Sequence, residues 1–181
     1  MSFCMKPNDF SHENVMSIVQ PGLLLKVFLS VFVLTSVFIL PFYIHNQIVT
    51  GSLVNAGLLV SLPLLGMPTT LVLCIVPSVI ALTRGLLPMA FAPILPFIMI
   101  GNALYVGIFN VFSKKKITGA VAASGVKFIF LFSVGQLLLS HIVVPNLFQK
   151  ASLMLGWFQL ITALLGAGIA VSIVKIFSIK K

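Results

Sequence analysis

Acidic side chains are almost missing from this chain. The only two, Asp9 and Glu13, precede a stretch from Leu23 to Lys181 that holds none. Because the stretch is almost continuously apolar, the absence excludes whole classes of chemistry. Proton-driven pumps, cation filters and metalloenzymes usually need carboxylates within the membrane. Cysteine is scarce too, with Cys4 in a polar tail and Cys74 in an apolar segment. Two thiols fall short of the ~4 ligands of a zinc or iron–sulfur site, so neither a metal nor such a cofactor is expected. His12, His45 and His141 stand apart without carboxylate neighbours and do not change that. No nucleophile–base pairing is present, so an enzyme is not expected, including one that acts on lipid within the membrane.

What remains is apolar. The chain is 60% hydrophobic and only 7% charged, with mean hydropathy +1.22. An ordinary soluble domain carries ~25% charged residues. The apolar runs are unbroken rather than alternating, so helices are expected and a β-barrel is not. With ~20 residues per span, the length fits five to seven helices, and the breaks select six.

The expected spans are 23–44, 52–65, 69–83, 93–112, 118–142 and 153–177, with residues 1–22 forming a cytoplasmic or interfacial tail. That tail is polar and of mixed charge, unlike a secretory signal. Its segment after Asn8 suits a short interfacial helix ended by Pro21-Gly22. Gly66-Met67-Pro68 reads as a turn between the second and third spans, and both are short for a ~30 Å core. Irregular backbone at that depth is tolerated where it lines a cavity, which marks this half for binding.

The net charge of +9 is topological. Lys6, Lys26, Lys114-Lys115-Lys116, Lys175, Lys180 and Lys181 all fall on the side of the termini, while Arg84 and Lys150 fall opposite. By the positive-inside rule both termini are cytoplasmic. Nucleic acid is not an expected partner; membrane lipid is.

The few polar groups inside the spans can be weighed singly. Asn55 and Asn102 each need donors and acceptors, either as interhelical glue or as substrate contacts. Lys127 follows Lys116 by eleven residues, so it lies ~16 Å along its helix with no acid to pair with. It either snorkels, bonds backbone carbonyls, or meets an anionic ligand. Arg84 anchors at headgroups or guards an outer mouth. Trp157 is an interfacial belt residue or a stacking wall, and Gln159 and Thr162 share one helix face. Small residues crowd the fifth and sixth spans; Gly166 and Ala170 have small-xxx-small spacing, for internal packing or for a partner.

Three segments carry a resemblance: Thr50-Gly51-Ser52-Leu53-Val54-Asn55-Ala56, Pro93 to Ala103 (PILPFIMIGNA), and Phe158 to Gly166 (FQLITALLG). With six spans, cytoplasmic termini and a Gly/Pro-rich middle, the chain resembles the substrate-binding S components of energy-coupling-factor (ECF) transporters, specifically an S-component-like subgroup. The resemblance implies capture of a vitamin-like micronutrient from outside a prokaryotic cell membrane. It also implies a membrane coupling subunit and two cytoplasmic ATPases as partners. The family's Ala-xxx-Ala docking pattern is absent from the first span, which offers Ser30, Thr35 and Ser36 instead.

The expectation is therefore a substrate-specific uptake subunit for a small neutral or anionic molecule. Its pocket would use Asn55, Asn102, Gln159 and Thr162, with Arg84 at the mouth, Trp157 as a wall and Lys127 as a further candidate. The alternative is a non-transporting scaffold or assembly subunit whose polar groups only join helices.

Overall fold

A computed structural model describes residues 21–39, 43–44, 46–85, 89–142 and 152–178. The expected interfacial helix in the tail, His45, the loop with Lys150, and Lys180-Lys181 lie outside those residues. Among the described residues the chain is all helical, with six α-helices and no strand. They are α1 (Pro21–Leu34), α2 (Gln47–Leu73), α3 (Val76–Thr83), α4 (Leu95–Val111), α5 (Lys116–Ile142) and α6 (Trp157–Ser178). Four stretches are long and apolar enough to cross a membrane: Gln47–Leu73, Ala92–Val111, Lys116–Leu137 and Ser152–Lys175. Their exposed side chains are themselves apolar, as at Val121, Ile129, Leu164 and Leu165. A surface so greasy suits lipid, and the chain is accordingly a multi-pass membrane protein.

Helix boundaries follow local chemistry. Asn46 caps α2, its Oδ1 accepting from the backbone N–H of Ile48 at 3.0 Å and of Val49 at 3.2 Å. The cap starts this helix at Gln47 rather than at the expected Ser52. Pro77 and Pro96 sit in the first turns of α3 and α4, where a missing N–H costs little. Pro77 thus opens α3 within the expected third span, and Pro93, the expected start of the fourth, belongs to a preceding 3₁₀ turn, Met89–Ile94. After α1 a π-helical turn, Thr35–Ile39, carries Ser36, whose hydroxyl bonds the Phe32 carbonyl.

The α2 segment is not straight. Gly66 has φ 79° and ψ 167°, a region that essentially only glycine occupies. Ser61 and Thr70 are nine residues apart, ~13 Å along a continuous helix. Yet their hydroxyls lie 3.0 Å from each other. The chain therefore doubles back at Gly66, and residues 47–65 and 67–83 form a hairpin. Thr70 Oγ1 donates to the Gly66 carbonyl at 2.9 Å and closes the turn. The first arm alone rises ~28 Å, close to a hydrocarbon thickness.

The core sits where α2, α4 and α6 meet, around Leu58, Leu59, Tyr105, Val106, Ala163 and Ala167. A Cβ at Gly51 would stand 3.0 Å from Thr162 Cγ2, and one at Gly166 only 2.6 Å from Asn55 Cβ. Those two approaches, four residues apart on both helices, set α2 and α6 parallel and in register. The Gly166 and Ala170 spacing therefore serves packing within the bundle, where both are buried. Around this pair α4 and α5 run antiparallel, with Gly101 against Leu131.

Candidate functional site

Four helices bring polar residues together: Asn55 from α2, Asn102 from α4, Lys127 from α5 and Thr162 from α6. Lys127 of α5 is 2% exposed, and its Nζ donates to Asn55 Oδ1 at 2.7 Å and to Asn102 Oδ1 at 2.8 Å. It neither snorkels to a helix end nor bonds backbone carbonyls. The amides are held from behind: Asn55 Nδ2 donates to Thr162 Oγ1 at 3.4 Å, and Asn102 Nδ2 to the Cys74 carbonyl at 3.2 Å. That carbonyl lies in the junction between α2 and α3, three residues ahead of Pro77, which has no N–H to donate to it. The oxygens of both amides are thus turned toward the ammonium by partners on two other segments, Thr162 on α6 and Cys74 at the end of α2.

Tyr105, one turn beyond Asn102 on α4, completes the cluster. Its ring centroid lies 5.1 Å from Lys127 Nζ, within cation–π range, and its hydroxyl donates to the Ala163 carbonyl at 2.8 Å.

Above this cluster is a cavity of about 230 Å³. Asn55, Asn102 and Lys127 form its floor. Gln47, Thr50, Gly51 and Val54 line the α2 wall, and Pro77, Ser78 and Ala81 the α3 wall. Ile98 closes the α4 side, while Met154 and Gln159 close the α6 side. The lining runs from the mid-depth lysine toward the helix ends near Asn46, Arg84 and Ser152. These lining residues lie toward the end of the bundle away from the exposed Lys114 and Lys115 turn.

The residues singled out in the sequence divide into two sets. Asn55, Asn102, Lys127 and Gln159 line the cavity, and Thr162 stands directly behind Asn55. Trp157 and Arg84 do not line it. Trp157 is 60% exposed, its ring 5.6 Å from Phe128 and turned along the outer face, and Arg84 is exposed where α3 ends.

Two members escaped the sequence reading. Tyr105 could have been found by its i, i+3 spacing from Asn102. Ser78 is 4% exposed, and among the described residues its Oγ is the buried side-chain polar atom without a hydrogen-bond partner. Nothing in the sequence separates it from the many serines that bond their own helix, as Ser52, Ser61 and Ser124 do here.

Among the described residues no group of three His, Cys, Asp or Glu side chains gathers to hold a metal. What the arrangement can do is bind: a small hollow, apolar on its walls, with a cation, amides and a free hydroxyl on its polar surface. Compared with protein-family models, curated proteins and solved structures, the chain matches none. The class that fold and cavity define is a multi-pass helical membrane protein with an internal solute-sized pocket.

Proposed function

We propose that this chain is the substrate-capturing subunit of a membrane uptake system, taking a small molecule from the extracytoplasmic side. The observation that carries this reading is the cavity of about 230 Å³ floored by a buried lysine and two asparagines. Helices that only needed to pack would fill such a space, because each void forfeits dispersion contacts. The pocket is below the ~300–1,000 Å³ of drug-sized sites, which suits a ligand of one ring or a short chain.

In this reading six crossings place both termini in the cytoplasm, with Lys114, Lys115 and Lys175 on that side and Arg84 outside. The cavity then faces outward. The resemblance to ECF S components supplies the transport setting: a separate coupling subunit and ATPases would drive release, since the sequence carries no P-loop.

One observation favours the scaffold reading, namely that Lys127 satisfies both amide oxygens from within the bundle. That network holds α2, α4 and α5 together whether or not a ligand binds. Native mass spectrometry of protein purified in mild detergent separates the two. Uptake predicts a co-purifying small molecule that is lost when Ala81→Phe fills the cavity. A protein that carries nothing, and whose stability no small molecule alters, is the scaffold.

A further inference from the structure

We propose that the captured solute is a small carboxylate whose acid group lies between Lys127 and Ser78, an inference that rests on the solute-capture reading above. Three observations converge on it. An ammonium has three donors, and among the described residues those of Lys127 reach two neutral amide oxygens, with the neutral Tyr105 ring 5.1 Å away and no anion against the charge. From Leu23 to Lys181 the chain holds no acid, so no carboxylate of this stretch can balance that charge. Buried charges are otherwise paired, because an isolated ion in a low-dielectric interior is strongly disfavoured.

The second observation is independent of charge. Ser78 Oγ is buried without a partner in a wall of the same cavity that Lys127 floors. A hydroxyl left unmatched in such a place costs free energy unless an incoming acceptor uses it. A carboxylate has two oxygens and accepts only, which matches one ammonium and one hydroxyl donor. The third is the polarity of the fixed groups. Asn55 and Asn102 present their oxygens to Lys127 and send their N–H groups to Thr162 and Cys74. The amides thus hold the ammonium in place and do not compete with it for the anion. Gln159, at the cavity's other end, can bond a polar group on the rest of the molecule, while Val54, Ile98 and Met154 suit an apolar body.

The test uses the full chain in lipid nanodiscs, with benzoate, phenylacetate and hexanoate as probes against benzamide, phenylacetamide and hexanamide. The expected result is a Tm rise of about 5–10 °C at saturating concentration with at least one acid. The isosteric amide should bind about tenfold more weakly or worse. Lys127→Met should weaken the acid about 30-fold or more, and Ser78→Ala about tenfold. Ser78→Ala removes one unbonded hydroxyl and leaves the helix contacts alone, so it keeps the test decisive should Lys127→Met not fold. Acid and amide binding equally well, or Ser78→Ala retaining full affinity for the acid, overturns the proposal. Binding of the amides alone, abolished by Ala81→Phe, overturns the acid-group assignment while solute capture stands. If no probe shifts the Tm and nothing co-purifies, both readings fall.

Discussion

Gly166 and Asn55 approach so closely that a Cβ on the glycine would stand 2.6 Å from the asparagine's own Cβ, with Ser52 O at 2.7 Å and the Ala56 amide nitrogen at 2.9 Å. The contact fixes the depth and rotation of Asn55, and therefore where its oxygen meets Lys127. Gly166→Ala forces backbone apart from backbone, so a loss of about 1–3 kcal/mol is expected from overpacking. Gly168, two residues on, faces open space with nothing within 4 Å of its would-be Cβ. Gly168→Ala should be neutral or stabilising by ~0.5–1 kcal/mol through helix propensity. Thermal unfolding of the two variants side by side distinguishes a packing contact from a general dislike of alanine.

Lys127 and its amides should behave as one unit. Lys127→Met leaves Asn55 Oδ1 and Asn102 Oδ1 without the donor they now share, at about 1–3 kcal/mol for each acceptor stranded. Asn55→Leu removes one acceptor and is expected to cost a similar amount. The double variant removes donor and acceptor together, and should be less destabilised than the sum by about 0.5–3 kcal/mol. A chemical-denaturation cycle measures that coupling; strict additivity would mean the 2.7 Å contact carries no energy.

The turn at Gly66 carries the α2 hairpin. At φ 79° and ψ 167° a Cβ meets backbone strain even though the nearest atom, Pro68 Cδ, is 4.0 Å away. Gly66→Ala should therefore lower stability by about 1–3 kcal/mol from conformation alone, without a steric clash. Ser61→Ala, which breaks the cross-hairpin bond to Thr70, should cost about 0.5–1.5 kcal/mol. If Gly66→Ala matches wild type in thermal unfolding, the reversal is not where the structure puts it.

The proposed topology has a direct readout. Tyr43 is 78% exposed at the end of the bundle where α2 begins, and Lys115 is exposed in the turn between α4 and α5. In a background with Cys4 and Cys74 replaced by serine and alanine, Tyr43→Cys and Lys115→Cys should label from opposite faces of intact vesicles. Tyr43→Cys is expected to react with an impermeant maleimide added outside whole cells, and Lys115→Cys only after lysis. Labelling of both from one face would remove the odd number of crossings between them.

Much of this was legible in the sequence, and the limits have one physical cause. The missing acids, the turn at Gly66 and the polar residues Asn55, Asn102 and Lys127 stand out against an apolar background. Which way each helix faces does not. In a soluble bundle the buried stripe is apolar and the rest polar, whereas lipid is as apolar as a protein interior. Ile129 at 63% exposed and Leu58 at 0% are the same kind of residue in the sequence. For that reason the sequence leaves Trp157 a role either inside or outside, and the partnership of Lys127 with residues 72 and 25 positions away exists only in the assembled bundle.

Trp157 gives the last prediction, because it tests the boundary of the site. Its ring tilts against Phe128, which stacks on Phe132 at 5.7 Å, so the three form an aromatic strip along the outside of α5 and α6. Trp157→Ala should leave binding of any cavity ligand within about twofold, while lowering thermal stability by ~0.5–1.5 kcal/mol from the lost ring pairing. Gln159→Ala, two residues further and on the cavity wall, should reverse the pattern, weakening the ligand with little change in stability. Were Trp157→Ala instead to abolish binding, the pocket would have to extend across α6, and the cavity described here would be only its inner half.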